Sequence, residues 1–346
     1  MNLAQGKIAV PTQAIKNADL VMQLLEQVST KDVVINFLKK KSLHHSGTWL
    51  ELREKRILPA IESGKVSLPE LIELLSEAEE TGRQHVFLYQ LPEILFKGDF
   101  SVANLKAKVQ SSKFSSLVDE PVILDKPDNL TLNQINFTSQ AVTFKAISTR
   151  VSYGPSNDRI ENGKLIKEYD IQKTRAVSLL KIHENGLCEV RISSKSSSVG
   201  YGEDIREFLR LLNSIFDWEK ITAYPVNLAK AKSNIWDQRE SLREQVRFSD
   251  ATLTNGLSVL RAATGTREAD LLDDEQVSGT VKTFVGDNVC CDSNNIFLRP
   301  MQGQSSPTKE IHILMTGEIN EVIMTTSCST ADYEYSIGKI LAWNND

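Results

Sequence analysis

The spacing of apolar positions divides the chain into a helical first quarter and a mixed remainder. Over residues 18–28, Leu20, Val21, Leu24, Leu25 and Val28 recur at three- and four-residue intervals, which predicts a helix. Ser29 or Thr30 caps a second helix over residues 31–41, with Val33, Val34, Phe37 and Leu38 on one face. A short loop covers residues 42–47. Thr48 starts a third helix, Glu51 completes a capping box, and Trp49, Leu52, Ile57 and Ile61 supply its apolar contacts. Gly64 stops it. Ser67, Pro69 and Glu70 repeat the start signal for a fourth helix bearing Leu68, Leu71, Leu74 and Leu75, closed at Gly82.

The period then changes. Residues 85–89 are rich in β-branched and aromatic side chains and predict a strand. A helix is expected over 101–111, and strands over 122–124, 135–137 and 141–150. Two further strands, 176–183 and 187–193, flank Glu184-Asn185-Gly186, a hairpin signal. Residues 204–216 form an amphipathic helix, with Ile205, Phe208, Leu209, Leu212 and Ile215 on one side, and 227–245 also read as helical. Strands are expected at 246–254, 296–299, 310–316 and 321–326, with 333–342 as a closing strand. Strands and helices alternate too irregularly for a doubly wound parallel sheet. The expectation is α+β: an N-terminal helical module followed by a mixed, mainly antiparallel sheet with amphipathic helices. The segments expected are 1–28, 29–66, 67–98, 99–235 and 236–346.

Charge sharpens this division. The 346 residues carry 40 Lys and Arg against 45 Asp and Glu, a net −5. Residues 1–98 balance at 12 against 12, residues 99–236 have 19 basic against 16 acidic, and residues 237–346 have 9 against 17. The acidic last third should repel a phosphate backbone and suits a protein contact. At 40% hydrophobic and 25% charged, the composition excludes a disordered chain and a disulfide-dense miniprotein. No apolar run approaches the roughly 20 residues of a membrane span. The N-terminus lacks the apolar core of a signal peptide. Cys188, Cys290, Cys291 and Cys328 offer no Cys-x-x-Cys pair, so small buried thiols in a reducing, cytoplasmic setting are expected.

The clearest functional signal is residues 30–61, TKDVVINFLKKKSLHHSGTWLELREKRILPAI. Residues 30–66 carry eight basic and four acidic side chains. A helix start at Thr48 presents free backbone N–H groups to a phosphate, with Lys39, Lys40 and Lys41 at the end of the preceding helix beside it. Leu38-Lys39 closing a helix, Ser42-Leu43, the Ser46-Gly47-Thr48 turn, Leu52, and Lys55 or Arg56 as the basic position together resemble the SAP domain family, a helix–loop–helix DNA-binding module. Ser42 stands where that family has Gly, Trp49 where it commonly has Lys, and the step from Leu52 to Arg56-Ile57 is one residue longer. The resemblance implies duplex DNA held by phosphate contacts through Lys39, Lys40, Lys41, Ser46, Gly47, Thr48, Lys55 and Arg56. Such contacts position a protein without reading bases, and are salt-sensitive.

Other candidates carry less. Arg150, Tyr153, Arg159, Lys164 and Lys167, with Lys173, Arg175 and Tyr169, interleave basic and aromatic residues and form a second candidate nucleic-acid face, or else a solvated surface loop. Residues 193–202 join a strand to a helix through small residues able to cradle a phosphate, without the Gly-Lys-Ser/Thr ending of a P-loop. His85 is a ligand candidate or a satisfied strand residue. Asp270, Asp273, Asp274 and Glu275 form a divalent-metal candidate or a capped helix start. Glu189 with Arg191 is the nearest approach to a nuclease pair. No catalytic group, metal or cofactor is assigned. The expected function is a non-enzymatic adaptor that tethers a protein-interaction domain, within residues 99–346, to duplex DNA, as in bacterial genome maintenance or antiphage defence. The alternatives are an interaction subunit without DNA affinity and a metal-dependent nuclease.

Overall fold

Buried leucines and valines at helical spacing build the N-terminal helices of the computed structural model, which describes residues 12–118, 120–195, 200–285, 290–316 and 318–345. Helix α1 (Thr12–Val28) buries Val21, Leu24 and Leu25 completely, each worth roughly 1.5–3 kcal/mol on removal from water. Helix α2 (Lys31–Lys40) buries Val34 and Leu38. The chain leaves α2 through Ser42 at φ +56. There the Leu43 N–H donates to the Leu38 carbonyl and the Ser42 N–H to that of Lys39, both at 2.9 Å, closing the helix end in the conformation glycine normally supplies.

The next helix starts as α3 (Trp49–Glu51), passes through a π-helical turn at Leu52–Ile57 and ends as α4 (Leu58–Glu62). A π turn holds one more residue than an α turn, so Leu52 and Ile57, five apart, are both fully buried. Helix α5 (Leu68–Glu80) starts at a Ser67–Glu70 capping box and packs against α1. Gly82, at φ +82, then leads into β1 (Gln84–Gln90). A Cβ on Gly82 would fall 2.1 Å from the Thr326 carbonyl oxygen, so only glycine fits.

Residues 91–221 form one compact unit; the residues before and after it form the other. The first contains α6 (Glu93–Phe96), α7 (Val102–Gln110), β2 (Thr131–Phe137), β3 (Ala141–Glu161), β4 (Lys164–His183), β5 (Leu187–Ser193) and α8 (Tyr201–Leu211). Its strands run antiparallel in the order β2-β3-β4-β5. Phe216 lies between Phe100 and Phe144, at ring separations of 5.4 and 5.7 Å, at the centre of its core.

After α9 (Glu219–Thr222), the second unit resumes with α10 (Ala229–Asp237), β6 (Val246–Thr254), β7 (Val259–Ala263), α11 (Glu275–Val285), β8 (Cys290–Leu298), β9 (Ile311–Met315), β10 (Glu321–Met324) and α12 (Thr330–Asn345). With β1 these strands take the antiparallel order β1-β10-β9-β8-β6-β7. Trp236 of α10 meets Phe248 of β6 edge-on at 5.8 Å, and the Asn234 amide ties α10 to the Trp343 carbonyl of α12 at 2.7 Å. The class is therefore α+β with antiparallel sheet and an N-terminal helical region.

Four local expectations fail. Residues 333–342 are helical, within α12: Tyr333, Ser336, Ile337, Ile340 and Trp343 are buried at three- and four-residue spacing. Residues 122–124 lie outside any ladder, flanked by Pro121 and Pro127, and Val122 meets β2 at Asn133 alone, its N–H donating to the Asn133 carbonyl and its carbonyl accepting the Asn133 side-chain amide. Residues 150–175 are no loop: β3 and β4 pair continuously from Ala141/His183 to Glu161/Lys164. The helix expected over 227–245 ends at Asp237, and turns carry the chain into β6. Strand β7 was not anticipated, whereas α11 begins at the capped helix start expected around Asp274 and Glu275.

Candidate functional site

Two regions hold the candidate residues, and they differ in how far their polar groups are already engaged. In the N-terminal region, Thr48 caps α3: its hydroxyl accepts the Glu51 N–H at 3.3 Å, and Glu51 Oε2 accepts the Thr48 N–H at 3.0 Å. The Lys55 ammonium lies 3.0 Å from the same carboxylate. These contacts, the Thr48 backbone first and Lys55 next, pull the Glu51 pKa down to about 2. Glu51 thus fills the anion position that an empty helix start would offer. Gly47, at φ +146, brings the backbone so close that a Cβ would lie 2.9 Å from that of Glu51.

Lys41 points to a different partner. It forms an ion pair with Glu70, whose carboxylate also accepts the Ser67 N–H at 2.9 Å in the α5 capping box. Lys41 and then Ser67 hold the Glu70 pKa down, again to about 2. Arg56 donates Nη1 to the Lys55 carbonyl at 3.2 Å, and its buried Nε has no partner. Lys39 and Lys40 are exposed at the end of α2 with no ion pair among the described residues, and Ser46, Gly47 and Thr48 are exposed on the following turn. Of the five cations among the eight expected contacts, Lys41 and Lys55 are neutralised, Arg56 is half-buried, and Lys39 and Lys40 are exposed and open.

The second region is the outer part of the β3–β4 hairpin. Strand β2 pairs with β3 over residues 142–147 and β5 with β4 over 178–182. At the base, the Thr149 hydroxyl donates to the Pro127 carbonyl and Arg175 Nε to that of Leu124, at 2.7 and 2.9 Å. Beyond this the two strands continue alone to a two-residue turn at Asn162-Gly163, where φ is +50 and +75. The register crosses a bulge between Pro155 and Asn157, then pairs Asp158 with Lys167 and Ile160 with Leu165.

This register sorts the ribbon into two faces. Val151, Tyr153, Ile160, Leu165, Tyr169 and Ile171 share one face and are 47–80% exposed. Asp158, Lys167 and Lys173 are its charged members. The other face carries Ser152, Asn157, Arg159, Glu161, Lys164, Glu168, Asp170 and Gln172. The five residues expected to form one nucleic-acid face are therefore divided. Tyr153 and Lys167 lie on the apolar face, and Arg159 and Lys164 on the polar one. Arg159 is paired with Glu161 and Glu168. Arg150 is turned inward, donating to the Ser193 carbonyl at 2.6 Å and to Asp204 at 3.2 Å.

The sequence reading missed the continuity of the apolar face. Its signals were present: Lys167, Tyr169, Ile171 and Lys173 alternate with Glu168, Asp170 and Gln172, and Glu161-Asn162-Gly163 repeats the Glu-Asn-Gly of the hairpin at 184–186.

The remaining candidates are engaged within the fold. His85 Nδ1 is 2.5 Å from Glu321 Oε1, and both are buried. Glu189 is buried between His183 at 2.6 Å and Arg191 at 2.9 Å. Asp270 accepts the Leu272 N–H and Asp274 those of Gln276 and Val277, so both act as caps. In the 193–202 connection, Lys195 is ion-paired with Asp204 at 2.8 Å, and residues 196–199 lie outside the described residues. Cys188 and Cys291 are buried, and burial raises both thiol pKa values. Among the described residues no group of three or more His, Cys, Asp or Glu is placed to hold a metal ion, and no helix is long and apolar enough to cross a membrane. No family model matches the chain, and no curated protein matches it either.

Proposed function

We propose that this protein is a non-enzymatic adaptor, docking a protein partner on the apolar face of the β3–β4 ribbon and holding duplex DNA through the end of α2. The observation that carries this reading is the ribbon: six large apolar side chains, each about half exposed or more, on one face of a two-stranded arm. Exposed apolar patches of this kind mark interaction surfaces. At about 3.3 Å per residue the face is about 30 Å long, with a footprint of roughly 400 Å².

Support for the DNA arm is the SAP resemblance together with the two open lysines. Two of its sequence departures have local backbone solutions: Ser42 takes the positive φ expected of Gly, and the extra residue after Leu52 falls in the π turn. Capture from an extract of the cells that make the protein tests the ribbon. Wild type and a polar-face variant, Lys164→Ala, should retain the same stoichiometric protein, and Tyr153→Asp/Ile171→Asp should lose it. Equal retention by all three would overturn the reading.

A further inference from the structure

A cavity of about 320 Å³ lies over strands β6, β8 and β9. Arg247, Phe297 and His312 are direct cross-strand partners and line it as a row. The Arg247 guanidinium sits 3.8 Å from the centre of the Phe297 ring, and His312 stacks on Phe297 at 4.2 Å with planes 9° apart. Both His312 nitrogens are engaged, by Thr325 at 2.7 Å and by Asn295. Burial, then the nearby Arg267 and Arg247, push the His312 pKa below its ordinary value, so the imidazole serves here as a neutral wall.

Around this row three arginines, Arg247, Arg267 and Arg299, meet the carboxylates of Glu268, Glu310 and Asp270, the last 3.4 Å from Arg299. Glu310 receives Arg247 through Nη2 at 2.9 Å and Nε at 3.3 Å, and lies 3.7 Å from Arg299. Arg247 also donates Nη1 to the Arg267 and Ala269 carbonyls at 2.7 and 3.1 Å, which fixes the backbone carrying Arg267. The Arg267 guanidinium itself has no partner among the described residues. A second lining group, the Thr326 hydroxyl, is buried and also unpartnered. Glu268 stands on the same wall, its carboxylate without a hydrogen bond or ion pair among the described residues.

The geometry points to a binding site for a phosphate group, with Arg267 and the Thr326 hydroxyl as donors, while Arg247 and Arg299 on the same wall are held by Glu310 and Asp270. A guanidinium fork matches phosphate oxygens, and a buried unpaired hydroxyl is costly until a ligand accepts its proton. The volume is at the lower end of small-ligand pockets, enough for a phosphate ester as well as free phosphate. This site is independent of the ribbon and of α2.

Isothermal titration of the full chain with inorganic phosphate, and separately with a nucleoside 5′-monophosphate, tests it. At least one probe should bind, tighter binding of the nucleotide assigning an ester and equal affinity the free ion. Arg267→Ala should weaken binding at least tenfold. Glu268→Gln should strengthen it several-fold, a gain that misfolding cannot produce, and Lys39→Ala/Lys40→Ala should leave it unchanged. No binding of either probe up to ~10 mM, or equal affinity for wild type, Arg267→Ala and Glu268→Gln, would overturn the assignment.

Discussion

The turn after α2 and the β3–β4 ribbon were both basic stretches in the sequence, and the fold treats them oppositely. In the N-terminal region the carboxylates that build two helix caps also neutralise Lys55 and Lys41. In the ribbon, Asp158 opposes Lys167 and Arg159 is paired, so charge is largely balanced while the apolar face stays open. The difference teaches that a count of charges is a poor guide to a binding surface. What matters is which groups the fold leaves unpaired. By that measure the end of α2 offers Lys39 and Lys40, and the ribbon offers six apolar side chains.

The largest expected effect is on the ribbon. Tyr153→Asp/Ile171→Asp should weaken partner binding about 30-fold or more, since central apolar anchors are commonly worth 2 kcal/mol or more. Its melting temperature should fall only slightly, because both side chains are exposed and only the cross-strand pair they form is lost to two facing carboxylates. A large drop in melting temperature would show that the face is structural. Next comes the DNA arm. Lys39→Ala/Lys40→Ala should lower duplex affinity roughly tenfold and reduce the salt slope by about two, as expected for two lost phosphate contacts. An unchanged slope in fluorescence anisotropy would remove both lysines from the interface.

A smaller effect separates the cap from the phosphate site. Glu51→Gln keeps a hydrogen-bonding side chain, releases Lys55 and removes a negative charge from the helix start. Duplex affinity should rise a few-fold, while a fall would mean that the capping geometry outweighs the charge. The smallest is a pH effect. Glu51 and Glu70 both have folded pKa values of about 2 against an ordinary 4.5. Depressed carboxylates stabilise above the ordinary value, and that contribution disappears as pH falls from about 4.5 to 2. Both groups are partly open to solvent, which screens them, so circular dichroism should show only a modest loss of melting temperature over that window. Glu51→Gln/Glu70→Gln should flatten it.

Periodicity carried most of the fold. Helices α1, α2 and α5 and strands β6, β9 and β10 were legible because each buries one face against a nearby partner. Helix α12 was misread because its aromatic and β-branched content imitates a strand, and the three- and four-residue spacing of Tyr333, Ile337 and Ile340 decides otherwise. The candidate sites were less legible. That Lys41 is claimed by Glu70, 29 residues away, is a tertiary fact with no local signal. The ribbon had a local signal, but the bulge between Pro155 and Asn157 shifts the alternation by one residue and hides the continuity of its face. The cavity bounded by Arg247, Phe297 and His312 depends on the register of three strands, which spacing alone does not fix.

The adaptor reading is tested most directly by recruitment to immobilised duplex DNA at moderate salt, with the captured partner added to each form of the protein. Wild type should retain both protein and partner on the beads. Tyr153→Asp/Ile171→Asp should stay on the DNA without the partner, and Lys39→Ala/Lys40→Ala should lose both together. Retention of the partner by the ribbon variant, or equal retention of wild type and the lysine variant, would contradict the account.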